Sequence, residues 1–255
     1  MNKPQREAHK LLSSVGWSRP GDLTIDEIAW SLGAFVKESP LEGSEGHILR
    51  KGNTAIITVN ERVDYQPKRN FVVAHEIGHF VLHKGVSLLF SETDKTLTEW
   101  HQKSAHEQEA NLFASELLMP TELFIKEIKG ETLSLGLIEE IADYFGTSLT
   151  ATFLKYAKYG DFPLMIIYTE GGIIRWKQHS DDFPFQWLPL GNSVPPLTVA
   201  GDFFNGNGIE DEPVEVDTIA WFPEDYGIKG KEHWKLWEQC FPVSSDGLIS
   251  CLWTN

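Results

Sequence analysis

The chain has 255 residues, 41% hydrophobic, 12% aromatic and 23% charged, which is globular composition and excludes a disordered, collagenous or repetitive protein. Its 22 basic against 37 acidic residues give a formal net charge of −15, a balance that excludes unselective coating of DNA or anionic lipid. The opening MNKPQREAHKLLSSVGW lacks an apolar signal core, and no stretch approaches the ~18 apolar residues of a membrane span, so a soluble, cytoplasmic protein is expected.

Residues 7–15 and 24–32 read as short amphipathic helices, the second opened by Thr24 with Glu27 at capping-box spacing. Residues 47–50 and 54–60 (TAIITVN) are β-rich runs separated by Lys51-Gly52-Asn53 and are expected to form a hairpin. Pro67 then starts a helix that runs through FVVAHEIGHFVLH to a stop at Gly85. After a polar stretch over residues 87–103, a further helix is expected over 104–119, ended by Pro120. Helices over 121–129 and 135–145 are closed by Gly130 and Gly146, and Thr147-Ser148 can cap a last one ending near Tyr159.

From Asp161 the pattern changes to short β-rich runs: LMIIY, a Glu170-Gly171-Gly172 turn, IIRW, and later DTIAWF, which together predict an antiparallel sheet. The charge balance changes at the same place, with 17 basic against 22 acidic residues up to Gly160 and 5 against 15 beyond it, and six of the nine tryptophans lie in the later part. The expected class is α+β. A helical domain with a small sheet is expected over residues 1–130, a helix-turn-helix-like segment packed on it over 131–160, and an antiparallel β-rich domain over 161–255. Cys240 and Cys251 offer neither a disulfide framework nor a cysteine-rich zinc site and are expected to be reduced core residues.

His75-Glu76-Ile77-Gly78-His79 places two imidazoles four residues apart on one helical face, where both can grip one ion. Glu76 sits beside them, as a base near a zinc-activated water must. Coincidence is the competing explanation, but the motif lies in an otherwise apolar helix (Phe71, Val72, Ile77, Val81, Leu82), where uncompensated histidines and a glutamate are costly to bury. Gly78 gives up ~1 kcal/mol of helix propensity and allows a neighbouring element to approach closely.

A catalytic zinc needs a third protein ligand, and the helix after residue 104 offers Glu107 and Glu109. At ~100° per residue Glu107 lies near one edge of the face marked by Ala110, Phe113, Ala114 and Leu117, whereas Glu109 lies nearly perpendicular to it, so Glu107 is the expected ligand. Asn111, four residues on, is placed to hydrogen-bond a histidine ligand and hold its tautomer. Glu109 and Glu116 are expected on a solvated flank and His83 at the surface or behind a ligand, while His106, next to Glu107, points ~100° away from it and is not expected to serve the oxyanion or the cleft.

HEIGH after RNFVVA, then Glu107-Gln108-Glu109-Ala110-Asn111-Leu112-Phe113-Ala114 and Leu117-Leu118-Met119-Pro120, resembles the ImmA/IrrE family of metallopeptidases, of gluzincin-like architecture, over roughly residues 5–160. The resemblance implies that His75, His79 and Glu107 bind Zn²⁺ and that Glu76 is the catalytic base. It implies a protein substrate, often a helix-turn-helix repressor encoded nearby, whose cleavage derepresses mobile-element or stress genes. Some relatives carry a GAF-like sensor at the C-terminus, a role that β-rich, Trp-rich sequence from residue 161 would suit.

Residues 55–60 are weighed as an open sheet edge for an extended peptide against an internal strand. Residues 135–157 resemble a helix-turn-helix, but the second helix carries only Lys155 and Lys158, so direct DNA binding is not expected. Trp234 and Trp237, three apart, are expected on one face of a helix, and the later tryptophans in cores or interfaces. The expected function is an intracellular zinc endopeptidase. The alternative is a regulatory protein-binding or DNA-binding module, or the toxin of a toxin-antitoxin pair, with zinc in a structural role.

Overall fold

Asn2 accepts from the Gln5 backbone while the Gln5 side chain returns to the Asn2 backbone, and this capping box starts helix α1 (Lys3–Ser14) ahead of its expected position. In the computed structural model, residues 1–83, 105–131 and 133–254 are described, and the chain divides into two units, Met1–Thr152 and Phe153–Asn255. Thr24 and Glu27 form the expected box at the head of α2 (Ile25–Ser31). Strands β1 (Ala34–Ser39), β2 (Gly46–Lys51) and β3 (Thr54–Asn60) follow, then α3 (Gln66–Leu82), α4 (Ala105–Leu118), α5 (Thr121–Ile128), α6 (Leu135–Phe145) and α7 (Leu149–Tyr159). The division between the units runs through α7, so the stretch 131–160 falls partly in each. The expected stop at Gly85, the polar stretch over 87–103 and the first residue of the expected 104–119 helix lie outside the described residues.

The hairpin of β2 and β3 forms as expected, with Gly52 in the turn at φ +63°. The third strand is β1, which pairs parallel to β3 with Phe35 opposite Ile56, and the sheet order is β1-β3-β2. Residues 55–60 therefore form the central strand, and the edge reading is corrected: a run as apolar as AIITV is bordered by strands on both sides. Ala34, Ile48, Ala55, Ile57 and Val59 bury one face of the sheet with Val72, Val73 and Ile77 of α3, Leu11 and Leu12 of α1, and Phe113 and Leu117 of α4.

Helix α4 is also covered on the side read as a solvated flank. Glu116 is 1% exposed and accepts from Thr121 N at 2.8 Å and Thr121 Oγ1 at 2.6 Å, with His9 Nε2 at 2.7 Å and Gln5 Nε2 at 3.3 Å. The expectation for this residue is thus corrected: α1 and the first residue of α5 close over it. At the other end of the unit, Gly146 caps α6 in the left-handed region at φ +63°.

The second unit is a five-stranded antiparallel sheet of β4 (Leu164–Glu170), β5 (Ile173–His179), β6 (Val214–Asp217), β7 (Lys235–Pro242) and β8 (Gly247–Trp253), in the order β5-β4-β8-β7-β6. Every residue of β8 is buried. Two short helices, α8 (Val199–Phe204) and α9 (Thr218–Trp221), and a 3-10 turn at Tyr226–Ile228 complete it. DTIAWF is not a strand throughout: β6 ends at Asp217 and Thr218–Trp221 winds into α9. Trp234 and Trp237 do not share a helix either, since Trp237 lies in β7 and Trp234 in the turn before it, where Lys231 sits 4.5 Å from its ring centroid. Cys240 and Cys251 are buried and unpaired with each other, as expected. Lys155 of α7 is 5% exposed and lies over the Tyr159 ring, which withdraws one of that helix's two cations from any phosphate.

Candidate metal centre

The apolar residues that bury α3 carry the motif inward with them: His75, Glu76 and His79 are 0%, 0% and 3% exposed. Helix α4 lies unusually close to α3, because a Cβ at Gly78 would stand 3.2 Å from the Ala110 Cα, the Ala110 carbonyl oxygen and the Phe113 ring. That approach brings Glu107, in the first turn of α4, against both imidazoles, with Oε2 3.2 Å from His75 Nε2 and Oε1 3.4 Å from His79 Nε2. The two Nε2 atoms are 2.8 Å apart, and one ligand atom from each of the three residues lies within 4.8 Å of the others.

Behind this cluster the ring nitrogens are engaged. His75 Nδ1 is 2.8 Å from Asn111 Oδ1, a contact in which the imidazole donates. His79 Nδ1 is 3.1 Å from His83 Nδ1, and His83 Nε2 is 3.0 Å from Glu109 Oε2. His106 stands with its ring centroid 4.5 Å from that of His83. Glu76 lies on the sheet side of α3: a Cβ at Gly46, the first residue of β2, would be 3.5 Å from Glu76 Oε1 and would overlap Val72. Glycine at position 46 is what lets strand and helix meet at this carboxylate.

Electrostatics favour the forms that hold a cation. Burial pushes the His79 imidazole below its usual value, His75 and His83 push the same way, and Glu107 opposes them. Burial pushes the Glu107 carboxyl up, but its close contacts with His75 and His79 outweigh it and hold the group well below the usual carboxylate range. Neutral imidazole and ionised carboxylate at neutral pH are the metal-binding states. With the His75 proton on Nδ1 toward Asn111, its Nε2 lone pair points at the other imidazole and the carboxylate, a buried convergence that a cation compensates. Two nitrogens and one carboxylate oxygen set is chemistry suited to Zn²⁺.

The structure thus brings His75, His79 and Glu107 together, sets Asn111 behind His75, and turns the buried Glu76 toward Gly46 of the sheet. Sequence reasoning left Glu109 on a solvated flank, whereas it reaches His83. The spacing of His83 from His79, one further turn of the same helix, is the signal that could have found that contact.

The profile of the IrrE N-terminal-like domain matches residues 29–153. Metallopeptidase ImmA of Bacillus subtilis (strain 168) is 32% identical over 111 residues, which cover 42% of this chain and 58% of that protein. The chain thus matches little more than half the length of this relative. A solved structure described as a Mycobacterium tuberculosis transcriptional regulator superposes over 100% of this chain and 77% of its own with a TM-score of 0.59 at 14% identity, a likeness of fold. Residues 29–153, which hold the whole cluster, thus match the IrrE N-terminal-like domain, and Metallopeptidase ImmA is similar to this chain.

Proposed function

We propose that the first unit is a zinc-dependent endopeptidase of the cell interior that hydrolyses a peptide bond in a protein partner, a helix-turn-helix transcriptional repressor. The observation that carries the chemistry is the convergence of His75 Nε2, His79 Nε2 and Glu107 at one point, with the buried Glu76 next to His75 in the chain. Zinc held there supplies Lewis-acid polarisation of the scissile carbonyl and acidifies a water.

The residues of the chain do the rest. Asn111 Oδ1 accepts a hydrogen bond from His75 Nδ1–H and so holds the tautomer whose Nε2 faces the metal. Glu76 takes the proton from the attacking water on its carboxylate and returns it to the leaving amine. Strand β2 lies at the edge of the sheet and begins beside Glu76, so an extended substrate segment pairs along it and is delivered to the carboxylate by main-chain hydrogen bonds. Support for a repressor as substrate comes from the resemblance to the family. Among the described residues no helix is long and apolar enough to cross a membrane.

The test compares Glu76→Gln and Glu107→Ala with the wild type, each incubated with the repressor encoded beside the gene. Glu76→Gln is expected to keep about one zinc per chain and lose cleavage, while Glu107→Ala loses most of its zinc. Full cleavage by Glu76→Gln would refute the mechanism.

A further inference from the structure

We propose that His83 and Glu109 form a hydrogen-bonded relay that positions His79 for the metal and raises its basicity, a role that rests on the zinc reading above. The assignment follows from counting protons. The Glu109 carboxylate can only accept, so the 3.0 Å contact to His83 Nε2 requires a proton on that nitrogen. A neutral imidazole has one N–H, which leaves His83 Nδ1 as an acceptor. The 3.1 Å contact between the two Nδ1 atoms then requires His79 to donate, and its Nε2 keeps a bare lone pair turned toward His75 and Glu107.

His83 is itself the wrong residue for a ligand, because it meets His79 on the Nδ1 side, away from the cluster. Its backbone is held by the last hydrogen bond of α3, from His83 N to the His79 carbonyl at 3.1 Å. Its side chain is 4% exposed and that of Glu109 37%, so the relay runs from the interior to the surface. Helix α4 thereby supplies three supports at alternate positions: Glu107 to the cluster, Glu109 to His83, and Asn111 to His75. A carboxylate behind an imidazole raises the ligand's basicity and fixes its ring, and removing such a partner typically costs about 10–100-fold in metal affinity.

The experiment measures zinc affinity of the full chain by competition with a chromophoric chelator and records the visible spectrum of the Co²⁺ form. The variants are His83→Phe, Glu109→Ala, Glu109→Gln and the double variant His83→Phe/Glu109→Ala. Expected are a loss of about 10–100-fold for His83→Phe, a smaller loss for Glu109→Ala, and partial rescue by Glu109→Gln, whose carbonyl still accepts. The Co²⁺ spectrum shifts in His83→Phe, and the double variant binds no worse than His83→Phe alone, because Glu109 acts through His83.

Wild-type affinity and spectrum in folded His83→Phe, or losses that add in the double variant, overturn the relay. If His83→Phe does not fold, unchanged affinity in Glu109→Ala overturns it equally. Glu107→Ala separates the two levels. Zinc lost in Glu107→Ala but unchanged in His83→Phe refutes the relay alone, whereas a wild type that binds no zinc refutes the site and the relay with it.

Discussion

Gly78→Ala tests whether the close crossing of α3 and α4 sets the metal centre. Alanine in place of a helix-interior glycine is worth about 1 kcal/mol through propensity alone. Against this, the new methyl would meet the Ala110 Cα and carbonyl oxygen and the Phe113 ring at 3.2 Å, short of the ~3.5–4.0 Å of relaxed carbon contacts. Two of those three atoms are backbone, so relief requires α4 to move away by roughly 0.3–0.5 Å. Overpacking of this kind costs about 1–3 kcal/mol, so the net change runs from nothing to a loss of about 2 kcal/mol. The effect on the site is sharper, because Glu107 lies one turn before Ala110 and moves with it, and metal-ligand distances tolerate only about 0.2 Å. Urea unfolding of the metal-free protein gives the first quantity, and chelator competition, expected to show zinc bound about ten-fold more weakly, gives the second. A Gly78→Ala protein that gains the full ~1 kcal/mol of propensity and binds zinc like the wild type would show that the crossing distance does not matter.

Asn111→Ala removes the partner of His75 Nδ1 and is expected to weaken zinc binding by about 10–100-fold; Asn111→Asp, which still accepts, retains most of the affinity, and equal behaviour of the two variants would contradict the tautomer argument. Glu116→Ala strips the acceptor shared by His9, Gln5 and Thr121 and is expected to cost about 2–4 kcal/mol in urea unfolding, against near-zero if the flank were solvated. Glu238 is 0% exposed and takes hydrogen bonds from Val199 N, Ala200 N and Trp221 Nε1 at 3.0, 3.0 and 3.1 Å. Burial nonetheless outweighs these donors and raises its pKa above 4.5. The folded state then holds this proton more tightly than the unfolded one, so the associated stability is fully present below pH 4.5 and is lost as pH rises through the folded value. Relative to Glu238→Gln, the wild type should lose stability across that window, and a pH-independent difference in unfolding midpoint would exclude the mechanism.

What the sequence disclosed was local. The Thr24-Glu27 box, the Gly146 cap, the Gly171-Gly172 turn and the histidine pair on an apolar helix each depend on residues within a turn or two of one another, and each forms. The Gly78 crossing was also legible, since glycine in a helix interior needs a reason. What escaped depends on distant partners. AFVKES offers no sustained alternation, and β1 is a strand because β3, just over twenty residues on, lies parallel to it. Glu116 looked solvated on a helical wheel, but Gln5 and His9 reach it from α1, more than a hundred residues away in the chain. The Ile and Trp of DTIAWF carry β propensity, yet Thr218 N bonds the Trp234 carbonyl and the chain turns there into α9. Propensity yields to tertiary pairing in both directions.

The strand order β5-β4-β8-β7-β6 has a consequence for synthesis. The strand at the centre of the second sheet is the last to leave the ribosome, and both of its neighbours, β4 and β7, pair with it along almost their whole length. Until residue 253 has emerged, β4-β5 and β6-β7 are two separate strand pairs with open apolar edges, and isolated two-stranded pairs are marginal in water. The first unit, whose sheet and His75–His79–Glu107 cluster are complete by Thr152, has no such wait. A nascent chain therefore carries a finished first unit ahead of an unfinished sheet, and a premature stop shortly before Gly247 leaves two sticky edges rather than a shorter domain.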